Sequence, residues 1–198
     1  MTTDASKSST KLIKDLKSIP SPVFYIFAAV ALFSSFYVCG FTLTGVFAAL
    51  LLLLLVACAC ADINAGIVPD LLVIAIAVLG VAYFLAVEGF TVQGLISRLI
   101  GAVCISLPML IVALLVKGAF GGGDIKLMAA AGIYLGWRLT VVGAFLGLFI
   151  SGFYAIYLLL LHKAGSKSKV KLVPFLAIGI GIATLFGSEV LYLLTNGL

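Results

Sequence analysis

The chain has 198 residues, of which 64% are hydrophobic and only 10% are charged, and its formal net charge is +5. Soluble domains carry about 25% charged residues, so this composition excludes an ordinary soluble domain and predicts a protein solvated mainly by lipid. The lysines lie mostly before the first apolar run and in one late loop, as the positive-inside rule expects, so we expect membrane lipid rather than nucleic acid as a partner.

Apolar runs recur along the chain, and each crossing of a bilayer needs about 20 mostly apolar residues. We predict an all-α transmembrane bundle with seven spans, at about 21–40, 42–61, 70–87, 96–116, 124–137, 139–161 and 174–195. The fifth span is short, which predicts a helix inside the bundle rather than against lipid. Glycine at 21 positions fits close packing of helices in a membrane.

We expect no cleavable signal peptide in the lysine-rich residues 1–20, which are predicted to lie in the cytoplasm. Seven crossings then return Asp62, Lys117 and the lysine-rich loop 163–171 to the same cytoplasmic side. We therefore divide the chain into a cytoplasmic segment, 1–20, and an integral membrane domain, 21–198.

Cysteine and histidine provide no basis for a metal site. The four cysteines lie inside apolar runs without a C-x-x-C pair, and His162 is the only histidine. A structural zinc site needs about four well-spaced ligands, so we expect buried structural cysteines and no metal.

Asp62 closes the apolar run 51–61. At the C-terminal end of a helix a carboxylate meets the negative end of the helix dipole, which is unfavourable. An ionisable residue at membrane depth without a structural reason indicates a function. We therefore predict that Asp62 is functional.

Asp124 follows Gly121, Gly122 and Gly123 and precedes an apolar helix. Aspartate is a favoured N-cap, so capping is one interpretation of Asp124. Capping does not explain three glycines, which allow unusual dihedrals and the close approach of another chain. Such a loop is tolerated at membrane depth only where it is buried or lines a wet cavity. A phosphate-binding role is not expected, because the P-loop pattern is absent.

Two complete crossings separate Asp62 from Asp124, so both carboxylates are predicted at one membrane face. Two carboxylates in a shared, partly dry site do not ionise together easily, and one holds a proton while the other stays charged. Such a pair can take a proton from an attacking water and deliver one to the leaving amine of a peptide. This is aspartic-protease chemistry, and it needs no metal or cofactor.

Three further residues flank these aspartates. Pro69 and Asp70 indicate a turn and a helix start, with N-capping the favoured interpretation of Asp70. Lys126 either extends to the membrane interface or biases the local charge, and the sequence does not separate these alternatives.

The sequence resembles the type IV prepilin peptidases, which carry a GxGD motif. Gly121-Gly122-Gly123-Asp124 matches that motif, and residues 125–136 are similar to the family's continuation, xKLxAAxGxxLG. The family's other aspartate motif, D-x6-P-[DN], appears as Asp62 through Pro69-Asp70. A late Pro-Phe helix start resembles Pro174-Phe175, so the resemblance covers about residues 42–195.

The resemblance implies an aspartic endopeptidase of the cytoplasmic membrane that removes the short basic leader of a type IV prepilin, pseudopilin or archaellin precursor at the cytoplasmic face. Asp62 and Asp124 would be catalytic. Substrate binding or loop shaping would fall to Gly121, Gly122, Gly123, Lys126, Pro69 and Asp70. The chain lacks the paired C-x-x-C motifs of the bifunctional members, so it resembles compact peptidase-only members of Flp/Tad pili and archaea. Methyltransferase activity and S-adenosylmethionine are not expected.

Other functions fit parts of the pattern. Buried acids and a glycine-broken helix also mark ion-coupled transporters and channels, although we find no inverted repeat and the acids lie at one face. A catalytically silent scaffold for pilus assembly has no feature in its favour. Signal-peptide peptidases carry a YD motif, whereas Ala61 precedes Asp62 here.

Overall fold

The computed structural model describes residues 21–116, 118–161 and 171–196, and the regular structure in these ranges is helical throughout. The helices are α1 (Ser21–Cys39), α2 (Leu43–Ala65), α3 (Asp70–Tyr83), α4 (Val92–Cys104), α5 (Ser106–Leu115), α6 (Gly122–Leu160) and α7 (Val173–Asn196). Each predicted span contains a helix, which confirms the all-α prediction. The predicted cytoplasmic segment 1–20 and most of the lysine-rich loop 163–171 lie outside the described residues.

Four helical segments in the described part of the chain are long and apolar enough to cross a membrane: Leu43–Ala65, Asp70–Glu88, Val92–Leu115 and Gly122–Leu160. Two shorter apolar helices, Phe24–Cys39 and Val173–Gly187, accompany them. The 39-residue segment Gly122–Leu160 contains the predicted fifth and sixth spans, because its backbone leaves helical geometry at Gly136. The count of seven crossings stays a prediction.

Two spans contain irregularities that the sequence did not indicate to us. The third ends in a π-helical turn, Phe84–Glu88. The fourth begins earlier than predicted, at Val92, and is divided at Ile105 into α4 and α5. Pro108 lies in the first turn of α5, where its missing N–H is tolerated, so the helix restarts rather than continues.

The chain reverses direction at Gly136. This residue has φ 73° and ψ 170°, a combination open mainly to glycine. Beyond it, Leu139 contacts Gly187 late in α7, and Tyr154 packs against Phe175 at the start of α7. The second half of α6 therefore runs antiparallel to α7.

Small residues let the two halves of α6 lie close to their neighbours. In the first half, Gly132 lies against the backbone of Gly101 on α4. In the second half, a Cβ on Gly147 would lie 2.9 Å from the Cα of Leu176 on α7. These approaches leave room for glycine alone, which is how helices in lipid gain packing contacts.

The first half of α6 is the centre of the bundle, as the short fifth span predicted. It packs against α3 at Gly80 and against α4 at Gly101. Leu127, Met128 and Ala131 have no solvent-exposed surface. Asp124 lies in the first turn of this central helix, so its position is fixed by contacts along the whole length of the helix.

The far end of this central half-helix is held by Arg98 on α4. Its guanidinium donates hydrogen bonds of 2.5 Å to the carbonyl oxygens of Ile133 and Tyr134 and forms a 2.8 Å ion pair with Glu88. These carbonyls belong to the last turn before Gly136, where intrahelical N–H partners run out. Arg98 therefore caps the half-helix from a neighbouring span, although only 5% of its surface is exposed.

Candidate active site

Asp62 lies in the last turn of α2. That helix extends to Ala65 and ends at Gly66, a left-handed C-cap with φ 66° whose N–H donates to the carbonyl oxygen of Asp62. The glycine cap fixes the turn that carries the carboxylate. Because helix packing covers this turn, only 8% of Asp62 is exposed.

The two carboxylate oxygens of Asp62 have different surroundings. The backbone N–H of Val173, the first residue of α7, lies near the carboxylate and favours its negative charge. Oδ2 is buried and has no hydrogen-bond partner among the described residues. A buried carboxylate oxygen without a partner is costly, so it marks a position where a water or a substrate group would be bound favourably.

Asp124 is the third residue of α6 and does not occupy the N-cap, so the capping interpretation is wrong as stated. Gly121 is the N-cap residue, and its backbone N–H donates to Asp124 Oδ2 at 3.0 Å. This is half of a capping box, since a glycine has no side chain to complete the reciprocal bond. The hydrogen bond ties the glycine loop to the carboxylate.

Asp62 and Asp124 lie at the same end of the bundle, close enough for their charges to interact. We call this the aspartate end. A second contact joins the two segments, because Gly123 packs against Val68, the buried residue before Pro69. The structure therefore brings together two motifs that lie about sixty residues apart in the sequence.

The three loop glycines have different environments. A Cβ on Gly121 would meet the Asp124 carboxylate at 3.1 Å, and one on Gly123 would lie 3.0 Å from the Val68 side chain. A Cβ on Gly122 would have no heavy atom within 4 Å. We expected unusual dihedrals here, and that is wrong for the three glycines, since positive φ occurs instead at Gly118 (86°).

Asp70 and Lys126 form an ion pair at the aspartate end. Lys126 Nζ lies 2.7 Å from Asp70 Oδ1, and both side chains are more than half exposed. Pro69 occupies the N-cap of α3 and no side chain caps this helix, so the N-capping predicted for Asp70 is wrong. Of the two alternatives for Lys126, the structure supports an effect on local charge.

Removing this ion pair is predicted to have a small effect on stability. An exposed pair is screened by water, so we expect Asp70→Asn to lower the free energy of unfolding by less than about 1 kcal/mol. The difference should vanish in about 1 M salt, where the screening length is about 3 Å. Thermal unfolding of both proteins at low and high salt measures this, and a salt-independent loss would contradict it.

Lys171 is a site residue that sequence reasoning missed. It was counted among the lysines of the late loop, yet its Nζ donates to the carbonyl oxygen of Ile63, and its charge acts on Asp62. The Pro-Phe helix start at Pro174 had already made the neighbouring segment part of the family resemblance. Nothing in the sequence indicated which lysine of the loop would reach Asp62.

The opposite end of the bundle holds a cavity of about 60 Å³. Its lining includes Glu88, Tyr83, Tyr134 and Thr184, and neither aspartate of the pair contributes to it. The volume suits a few water molecules. Chemistry at the aspartates therefore does not depend on this cavity, and open space lies beside Gly122, two residues before Asp124.

Comparison with known proteins identifies a matching family and several relatives of this chain. The profile of the type IV leader peptidase family matches residues 48–156, more than half of the chain. A prepilin leader peptidase/N-methyltransferase of Aeromonas hydrophila is 34% identical over 159 residues, which cover 77% of this chain and 54% of the relative. The protein of the same name from Bacillus subtilis (strain 168) is 28% identical over 95 residues, which cover 48% and 38%.

The match with Aeromonas salmonicida (strain A449) is shorter, at 34% identity over 74 residues, which cover 37% of this chain and 25% of the relative. This chain thus matches about half of the length of these relatives, or less. No solved structure matches the chain. The matched region contains both motif aspartates, and its extent is sufficient to conclude that the chain belongs to the type IV leader peptidase family.

Proposed function

We propose that this protein is a membrane-embedded aspartic endopeptidase that removes the leader of prepilin-like precursors, with Asp62 and Asp124 as its catalytic pair. The observation that carries the proposal is the meeting of these two carboxylates at one end of the bundle, close enough for their charges to interact. The family profile includes both residues, and the names of the relatives include prepilin leader peptidase.

The chemistry follows from two carboxyl groups that share one proton. The charged carboxylate takes a proton from water as the water oxygen bonds to the peptide carbonyl carbon, while the protonated carboxyl gives its proton to the carbonyl oxygen. Collapse of the tetrahedral intermediate then breaks the C–N bond, and a carboxyl proton passes to the leaving amine.

The substrate would be a prepilin, pseudopilin or archaellin precursor with a short basic leader followed by an apolar helix. Its cleavage segment must be extended near the aspartates, because the peptide bonds of a helix are shielded from attack. The open space beside Gly122 offers a route for such a segment. The N-terminal lysines favour a cytoplasmic position for this end of the bundle, at the cytoplasmic membrane.

The printed names of the relatives also include N-methyltransferase. We propose the peptidase reaction alone for this chain, because the paired C-x-x-C motifs of the bifunctional members are absent from its sequence. A methyl-transfer assay with S-adenosylmethionine on the cleaved product tests that restriction directly, and methylation of the new N-terminus would overturn it.

The proposal predicts cleavage of a leader-bearing precursor by the purified protein. The full chain, reconstituted in lipid nanodiscs, is incubated with a type IV prepilin, a pseudopilin or an archaellin precursor. Mass spectrometry of the products should show a single cut at the end of the leader of at least one precursor, without added metal. Intact precursors of all three classes would contradict the proposal, and an ion flux in proteoliposomes would then favour the transporter.

A further inference from the structure

We propose that Lys171 is a positioning residue of the site, which holds the last turn of α2 and stabilises the negative charge of the Asp62–Asp124 pair. The inference deepens the proposed function and depends on it for the catalytic role of the pair. Lys171 lies shortly before α7 and belongs to neither the GxGD motif nor the D-x6-P-[DN] motif.

The contacts of Lys171 are specific to the turn that carries Asp62. Its ammonium donates to the carbonyl oxygen of Ile63, the residue that follows Asp62. A cation at the C-terminal end of a helix also opposes the negative end of the helix dipole. Two residues later, the N–H of Val173 lies near the Asp62 carboxylate and favours its negative charge. The segment 171–173 therefore contacts the backbone of this turn and lies close to its carboxylate.

Among the described residues, the other charged groups at the aspartate end are either paired with each other or negative. Asp70 of α3 and Lys126 of α6 are paired with each other at 2.7 Å. Asp124 of α6 contributes a like charge to the pair. On α2 itself, the titratable side chains within about one turn of Asp62 are the thiols of Cys58 and Cys60. Among the described groups, the cation whose charge acts on Asp62 is thus Lys171.

A nearby cation should lower the pH at which the pair acquires its one negative charge. Removal of that cation makes ionisation of the pair harder, so the active form would be lost at a higher pH than in the wild type. Because Lys171 is exposed, water and salt weaken its field, and we expect a shift of up to about one pH unit. A purely structural role would instead lower the rate by the same factor at every pH.

The test measures kcat for precursor cleavage against pH in the wild type, Lys171→Gln and Lys171→Arg. In Lys171→Gln the acidic limb of the profile should move to higher pH, and Lys171→Arg should restore it, because arginine keeps the charge and a donor. Arg138→Gln is the matched control: it removes one charge beside Leu139, at the other end of the bundle. Its profile should coincide with that of the wild type.

A second measurement does not require activity. A lipid-soluble carbodiimide reacts with protonated carboxyl groups, so its labelling of Asp62, followed by mass spectrometry across pH, should persist to higher pH in Lys171→Gln. Unchanged labelling in that variant, or failure of Lys171→Arg to restore the wild-type behaviour, overturns the inference. A wild type that cuts no precursor overturns the proposed function instead, while the labelling still decides whether Lys171 stabilises the charge.

Discussion

Asp62→Asn and Asp124→Asn are each expected to lower the rate of precursor cleavage by roughly 10²–10⁴-fold, the usual contribution of a positioned general acid or base. Asparagine keeps the size of the side chain and its capacity for hydrogen bonds. It cannot share the single proton on which both halves of the proposed reaction depend. The double variant should lose little more than either single variant, because the two groups act as a unit.

The variants should remain folded, which separates chemistry from stability. An asparagine at 62 keeps the size of the buried side chain without its charge, and the amide oxygen of one at 124 can still accept from Gly121. Glu88→Gln is the matched control, since it removes a carboxylate that lies at the opposite end of the bundle in an ion pair with Arg98. Near-full cleavage by either aspartate variant, in protein that unfolds like the wild type, would show that the catalytic pair is assigned wrongly.

The helices and the pairing of the aspartates were predictable because they depend on short-range signals. Apolar runs of about 20 residues indicate helices in lipid without knowledge of their neighbours. The same-end placement of Asp62 and Asp124 required only the parity of the crossings between them. The break between the fifth and sixth spans was also predictable, because the apolar run is interrupted at Gly136-Trp137-Arg138.

The partners of the charged residues were not predictable, because they depend on which helices meet and at what height. The ion pair between Glu88 and Arg98 depends on the packing of α3 against α6 beside α4. Asp70 was expected to cap α3 and instead meets Lys126, 56 residues away. Local propensity describes the cap alone, whereas the ion pair is a tertiary contact.

The loop glycines show the same difference between what local sequence indicates and what tertiary contacts determine. The sequence indicated that Gly121, Gly122 and Gly123 serve a special loop, and it suggested unusual dihedrals as the reason. The structure assigns Gly121 to the Asp124 carboxylate and Gly123 to the Val68 side chain, and it leaves Gly122 facing open space. The middle glycine, Gly122, is the variable position of GxGD. Packing therefore distinguishes three positions that carry the same residue.

Arg98→Met is expected to lower the free energy of unfolding by about 2–4 kcal/mol, the largest stability effect that we predict. Methionine keeps much of the buried volume but removes both donors to Ile133 and Tyr134. These carbonyls then lose the donors that satisfied them, and a buried acceptor without a partner costs about 1–3 kcal/mol. Contacts of the guanidinium with the ring of Phe84, 4.8 Å away, are lost as well.

Unfolding in increasing denaturing detergent, followed by circular dichroism, measures this effect in the full chain. Arg98→Lys should give an intermediate loss, because an ammonium cannot span two carbonyls and Glu88 with the fixed geometry of a guanidinium. Glu88→Gln should cost less than Arg98→Met, since the glutamine oxygen can still accept from Arg98 and the guanidinium keeps its bonds to Ile133 and Tyr134. Equal stability of Arg98→Met and the wild type would mean that the reversal at Gly136 holds without its cap. In that case, the position of Asp124 would depend on the glycine contacts with α4 rather than on this cation.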